Sequence, residues 1–206
     1  MKLYYAPGAC SMGIHVLLEE IGKPYETAKL SLQNGDQHRP PFSEINPKGK
    51  VPTLVRADGE VITEYPVIAH WLAERFPEAG LLPKGEDAML HAAEATDYCV
   101  ATIHMQGFSR VIRPANFAPS ESDHEAVKAR GKELMEKGYA IMDKQLAGKE
   151  WVAGDYSYAD SALFYVEYWG AKRLGMQLPA NCAAHLDRMM ARPAVKRMVE
   201  QEELPS

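Results

Sequence analysis

The sequence predicts a mixed α/β region followed by an all-helical one, and three observations predict it. Through Phe76 the apolar pattern alternates between the period of two that marks strands and the 3.6 that marks helices. A stretch rich in proline, glycine and charge, "PEAGLLPKGED", then interrupts it. Beyond that point only helical spacing remains. The expected division is 1–77 for an α/β domain, 78–86 for a linker and 87–206 for an all-α domain.

Each element has its own signal. Leu3-Tyr4-Tyr5 is a short strand. "CSMGIHVLLEEIG" sets Ile14, Leu17, Leu18 and Ile21 at helical spacing, with Gly22 where the helix should stop. "PYETAKLSL" returns to a strand, and "VPTLVRADGEVIT" reads as two strands around Asp58-Gly59, a strong hairpin signal. "EYPVIAHWLAERFP" is a helix opened by Pro66 and closed before Pro77. The order strand, helix, strand, loop, strand, strand, helix implies a mixed four-stranded sheet with helices packed on it. In the second half, "DAMLHAAEATDYCVATIHMQGF" and "SDHEAVKARGKELMEKGYAIMDKQLAG" are long amphipathic helices. "SYADSALFYVEYWGAKRLG" is another, and "NCAAHLDRMMARPAVKRMVEQ" is a pair broken at Pro193.

Composition narrows the function. The chain has 206 residues, 46% hydrophobic and 25% charged, the profile of an ordinary globular protein. A net charge of -5 argues against nucleic acid or an anionic membrane as partner. No stretch is long and apolar enough to span a bilayer, and Met1 leads straight into strand-like sequence without a signal peptide. Cys10, Cys99 and Cys182 are odd in number and far apart, a poor disulfide framework that suits a reducing cytoplasm. Cys99 and Cys182 read as small buried hydrophobes.

Four markers stand out, three of which could carry chemistry. Cys10 follows a strand and a Pro-Gly-Ala turn at the start of a helix, where unpaired N–H groups and the helix dipole favour an anion. Such a place lowers the pKa of a resident thiol, or stabilises the thiolate of a bound ligand; the plain alternative is a cysteine that fills space. Ser11 is a good N-cap whose hydroxyl could also reach a bound sulfur. "CSMG" has Gly13 where a resolving cysteine would stand, so a dithiol mechanism is unavailable. In "NPKGKVPTL", Pro52 opens a strand; a cis Val51–Pro52 bond would turn the backbone of Val51 outward, where an extended peptide could pair with it. In "TEYP", Thr63, Glu64 and Tyr65 pass from strand to helix, and their N–H groups suit a carboxylate. Turn chemistry alone is the plain reading of both. "SYAD", Ser157 to Asp160, is a capping box and structural.

Together these motifs, in this order, resemble the cytosolic glutathione transferases, most closely the bacterial beta class. The resemblance covers essentially the whole chain and rests on "KLYYAPGACS", "NPKGKVP", "TE", "GFSRVIRP" and "SYAD". It implies a thioredoxin-like N-terminal domain, an all-helical C-terminal domain, a homodimer, and glutathione as co-substrate with no metal. It also implies a cis bond at Val51–Pro52 whose backbone pairs with the cysteinyl part of glutathione. Glu64 and the N–H of Tyr65 would hold the γ-glutamyl end, and Cys10 would lie beside the sulfur with Tyr5 and Ser11 nearby. Asp97 and His104 are seven apart, which places both on one face of a regular helix. Asp97 resembles the residue that reaches across the dimer to the glutathione amino group. His104 resembles the histidine facing Cys10, and equally reads as an ordinary interdomain histidine. The chain departs from the family in having Tyr65-Pro66 where Ser or Gly usually follows the glutamate. For the glycyl carboxylate, Gln33, His38 and Arg39 are the candidates.

The expected chemistry is attack by the glutathione thiolate on a small hydrophobic electrophile held between the domains. Met105, Phe108, Val111, Ile112 and Phe117 are its candidate apolar contacts, and equally read as core. Cys10 could add a mixed-disulfide step, giving thiol-transferase or peroxidase chemistry. The alternative is a non-catalytic protein that binds glutathione or a hydrophobic ligand on the same fold.

Overall fold

The computed structural model describes residues 1–205. Contacts divide the chain into two units: Met1–Leu82 together with the chain from Met190 onward, and Pro83–Met189.

The first unit is a four-stranded sheet in the order β2-β1-β3-β4. β1 (Lys2–Tyr5) runs parallel to β2 (Glu26–Lys29) and antiparallel to β3 (Thr53–Val55), which pairs antiparallel with β4 (Val61–Thr63). α1 (Ser11–Ile21) stops at Gly22, whose φ of 66° is left-handed and whose N–H returns to Leu18 O. The hairpin closes on Arg56 N–H to Glu60 O and Gly59 N–H to Arg56 O, with Gly59 at φ 87°, a three-residue loop with a glycine bulge. A four-residue α2 (Phe42–Ile45) and α3 (Tyr65–Arg75) complete the α/β part. Leu3, Ile14, Leu17, Leu54, Ile68 and Leu72 are fully buried in its core.

The expected division ran the helical domain to the chain's end, whereas the last helix groups with the sheet. Chemistry accounts for this. α9 (Pro193–Gln201) buries Ala194, Val195, Met198 and Val199 along one face and packs on α1. Arg197 and Glu19 add an ion pair, and Arg192 pairs with Glu20 at 2.6 Å. α9 ends with Glu203 at φ 56°, Glu203 N–H on Glu200 O and Leu204 N–H on Val199 O, a Schellman turn with glutamate in the usual glycine place.

The second unit is helical: α4 (Glu86–Asp97), α5 (Ser109–Ile112), α6 (His124–Gln145), α7 (Tyr158–Tyr168) and most of α8 (Ala180–Ala191). Two stretches depart from the regular helix expected. Tyr98–Phe108 and Trp169–Arg173 are wound as π-helix, with bonds five residues apart. Where they meet, the rings of Phe108 and Trp169 stack at 4.0 Å. Glycines set the approach of α6. A Cβ at Gly131 would lie 2.7 Å from Gly107 O, and one at Gly138 2.6 Å from Ile103 Cγ1. Since a backbone oxygen cannot rotate away, Gly131→Ala should destabilise the chain by about 1–2 kcal/mol, overpacking outweighing the gain in helix propensity. Chemical denaturation checks this; a variant of raised stability would show that α6 is free to move outward.

The capping box forms as expected, Asp160 accepting from Ser157 N–H at 2.7 Å and Ser157 itself capping α7. Asp160 does more than cap. It also accepts from Val152 N–H at 2.9 Å and from His185 Nε2 at 3.2 Å. His185 Nδ1 reaches Glu167 at 2.7 Å, and all three side chains are fully buried. Burial alone would lower the His185 pKa, but the Glu167 and Asp160 carboxylates overcome it and raise it to about 9. Burial in turn pushes the Glu167 carboxyl up, against the pull of His185.

Candidate active site

Register decides which loops of the first unit meet. Tyr5 lies opposite Lys29, Tyr4 opposite Thr53, and Thr53 opposite Thr63. The carboxyl ends of β1, β2 and β4 and the amino end of β3 therefore share one end of the sheet. From it leave the Pro7-Gly8-Ala9 turn with Cys10, the Val51–Pro52 step, the Glu64-Tyr65 junction, and the loop with Gln33, His38 and Arg39. Three of the four sequence markers, up to about 60 residues apart, are thus gathered with the Gln33–Arg39 loop where α/β sheets present their binding sites.

Cys10 holds the position just before α1, partly exposed, and no side-chain hydrogen bond caps the helix. Its thiol donates to Val51 O at 3.3 Å, and the Val51–Pro52 bond is cis, as the resemblance implied. A second cis bond, Pro40–Pro41, had no signal in the sequence. Ser11 departs from its expected role. It is already the first residue of α1, and its buried hydroxyl accepts from Ala6 N–H at 3.2 Å and donates to Ala6 O at 3.3 Å. The hydroxyl braces the turn instead of capping the helix.

Tyr5 lies on the buried face of β1, its ring 5.3 Å from that of His15. It lines a cavity of about 740 Å³ with Leu18, Tyr25 and Arg197, among other residues, and Cys10 is not part of that lining. Burial, then the charge of Glu202, raises the pKa of its phenol.

Glu64 stands before α3 at φ 71°, a left-handed backbone rare outside glycine. Such strain costs about 1–3 kcal/mol and clusters at binding sites. Its carboxylate meets Lys48 Nζ at 2.8 Å, and Lys48 also donates to Thr63 Oγ1 at 2.9 Å. The side chain of Tyr65 is only 4% exposed. The tyrosine thus belongs to the core, and what it can offer at the strand end is its backbone. That explains why a bulky residue is tolerated where a small one was expected.

Gln33, His38 and Arg39 are all exposed, and His38 lies against the "NPKGK" loop: a Cβ on Gly49 would lie 3.0 Å from His38 Nδ1. Asn46 shapes that loop, its amide donating to Lys50 O at 2.9 Å and Thr53 Oγ1 at 2.8 Å. Sequence reasoning missed Asn46 and Lys48, though an asparagine before proline is a turn signal.

In the second unit, Asp97 is exposed at the end of α4. His104 is half-buried, 3.4 Å from Tyr165 Oη and 4.7 Å from the Trp169 ring. The shared face expected of the two assumed regular winding, and the wider turns from Tyr98 onward shift the phase between them. Of the residues read as either apolar ligand contacts or core, Phe108 is 1% exposed and belongs to the core, while Met105, Ile112 and Phe117 are 41%, 43% and 39% exposed. Among the described residues no group of His, Cys, Asp and Glu could hold a metal ion, and no helix is long and apolar enough to cross a membrane.

A family model described as "Glutathione S-transferase, N-terminal domain" matches residues 8–75. Glutathione S-transferase GstA of Escherichia coli O157:H7 is 32% identical, the alignment covering 99% of this chain and 100% of that protein. A glutathione transferase homologue from Sulfitobacter, solved with bound glutathione, superposes with a TM-score of 0.91 at 28% identity, over 98% of both chains. A bacterial beta class glutathione S-transferase from Sphingomonas chungbukensis gives 0.85 at 29% identity over 100% of both.

Proposed function

The chain belongs to the glutathione S-transferase family, and from that premise we propose that it joins the thiol sulfur of glutathione to small hydrophobic electrophiles. The observation that carries this reading is the common sheet end, where two helices begin without a side-chain cap. Each such helix start favours an anion. The α1 start, with Cys10, suits a thiolate; the α3 start, after Glu64, suits the γ-glutamyl carboxylate, and Glu64 itself suits the ammonium.

The steps follow from charge. The tripeptide lies extended along Val51, whose backbone pairs with its cysteinyl part. Its thiol loses a proton to water more readily beside the α1 dipole, and the thiolate attacks the electrophile. Of the apolar candidates, the exposed Met105, Ile112 and Phe117 remain for electrophile contact. His38 is the candidate for the glycyl carboxylate, by its place beside the "NPKGK" loop. The reading includes a cytoplasmic homodimer, in which the exposed Asp97 is available to the glutathione amino group of the partner. Sedimentation of the purified chain tests the dimer.

Calorimetry with millimolar reduced glutathione, followed by conjugation to an aryl halide, tests the function. Saturable heat and turnover are expected. Binding without turnover across several electrophiles would favour a ligand-binding role. Cys10→Ala separates conjugation from disulfide exchange. If Cys10 attacks a mixed disulfide and expels glutathione thiolate, the variant loses that exchange and keeps conjugation. Retention of both would remove Cys10 from the chemistry.

A further inference from the structure

Besides Cys10 and Glu64, the shared sheet end carries a cation, Lys48. The loop it leaves from is fixed. Its own N–H donates to Asn46 Oδ1 at 3.1 Å, and Asn46, 2% exposed, also holds Lys50 O and Thr53 Oγ1. From that loop the side chain crosses to the junction of β4 and α3. There Nζ donates to Thr63 Oγ1 at 2.9 Å and to Glu64 Oε1 at 2.8 Å. The side chains of Lys48 and Glu64 are 53% and 55% exposed. An ion pair so open adds little to stability, and a ligand can reach it. An ammonium has three donors, and these two bonds occupy two of them. The third is left for a ligand.

The start of α3 needs such a donor. Tyr65 is its first residue and Pro66 its second, and proline has no N–H. Ile68 N–H is spent on Glu64 O at 3.0 Å. Of the first four helical residues, at most Tyr65 and Val67 can therefore meet an anion through the backbone. The Tyr65 side chain, 4% exposed, belongs to the core and adds nothing there. A carboxylate accepts at about four lone-pair sites, more than this helix start serves. The γ-glutamyl carboxylate stands on the same carbon as the ammonium assigned to Glu64, so it arrives beside the group that Lys48 holds.

We propose that Lys48 is a specificity-determining residue of the glutathione site, its third N–H reading the γ-glutamyl carboxylate where Pro66 withholds a backbone donor. This rests on the functional reading given above, so calorimetry with reduced glutathione comes first. No saturation by the unaltered chain would overturn that reading, and this role with it. Glutathione is then compared with γ-aminobutyryl-cysteinyl-glycine, which keeps the ammonium and lacks the carboxylate. The unaltered chain should bind glutathione at least about tenfold more tightly; equal affinities would overturn the role of Lys48 alone. In Lys48→Met glutathione should weaken about 3- to 10-fold, the scale of one charged hydrogen bond in contact with water. The analogue should stay within about twofold of its affinity for the unaltered chain. Lys48→Arg, which keeps a charged donor, should recover most of the loss. Lys128→Met removes a lysine paired with Glu125 at 2.7 Å on α6 and should leave both affinities as they were. Equal weakening of both ligands in Lys48→Met would mean that the lysine only shapes Glu64 and its loop, and overturns the proposal. Unchanged glutathione binding overturns it too, and so does tighter binding, the mark of a lysine that competes for Glu64. Should Lys48→Met fail to fold, Lys48→Ala at the same half-exposed position is read in the same way.

Discussion

Asp160→Ala should lower the free energy of unfolding by about 4 kcal/mol, the scale of removing one partner from a buried ion cluster. The single carboxylate receives Ser157 N–H, Val152 N–H and His185 Nε2, all in the interior. Deleting it removes the α7 cap and leaves a buried imidazolium facing one carboxylate in place of two. In a domain of this size that is a fall of roughly 10 °C in Tm. Asp160→Asn keeps an acceptor for one backbone N–H and should cost about half as much. Urea unfolding of both variants checks the order. A loss below about 1 kcal/mol for Asp160→Ala would mean that the cluster contributes no net stability.

The same cluster should make the protein lose stability in mild alkali. Both nitrogens of His185 face carboxylate oxygens, at 2.7 and 3.2 Å, an arrangement that suits a ring with a proton on each. Its pKa is raised from 6.5 to about 9 in the folded chain. A group raised in this way stabilises fully below its unfolded value; the contribution shrinks as pH climbs past 6.5 and is gone above about 9. A shift of that size is worth about 3 kcal/mol. Glu167, also raised, acts with the same sign from its ordinary value of 4.5 upward. The expected result is a urea midpoint that falls steadily between pH 6.5 and 9, a fall reduced in His185→Gln. A midpoint flat across that range in the unaltered chain would show that His185 is neutral when folded.

Local chemistry made most of the fold legible. Gly22 and Pro66 bound their helices, Asp58-Gly59 turns the hairpin, and Ser157 with Asp160 caps α7, each signal lying within a few residues of its effect. The π-type winding of Tyr98–Phe108 was not legible, because no residue type in the stretch signals a five-residue bond and its apolar positions were matched to the regular helical period. The grouping of α9 with the sheet was likewise hidden: its apolar face says that it must pack, and nothing in it says against what.

At the site, Cys10, Val51 and Glu64 carried signals because turns and helix starts need particular residues. Their meeting at one sheet end follows from strand register, which the pattern of each strand alone does not give. Ser11 was misread by one helical position, enough to send its hydroxyl to Ala6. Glu202 and His15, whose buried side chains meet at 2.8 Å, are 187 residues apart, and a carboxylate near a chain end reads as solvated until something buries it.

The sheet-bearing unit is assembled from both ends of the polypeptide, whereas the helical unit is drawn from one continuous run. A ribosome releases the chain from its amino end, at about 5–20 residues per second. Every residue of the helical unit is therefore out while the sheet still waits for α9. During synthesis the later-encoded unit is the first that can be finished, and Cys10 stays on an incomplete scaffold until the last helix arrives.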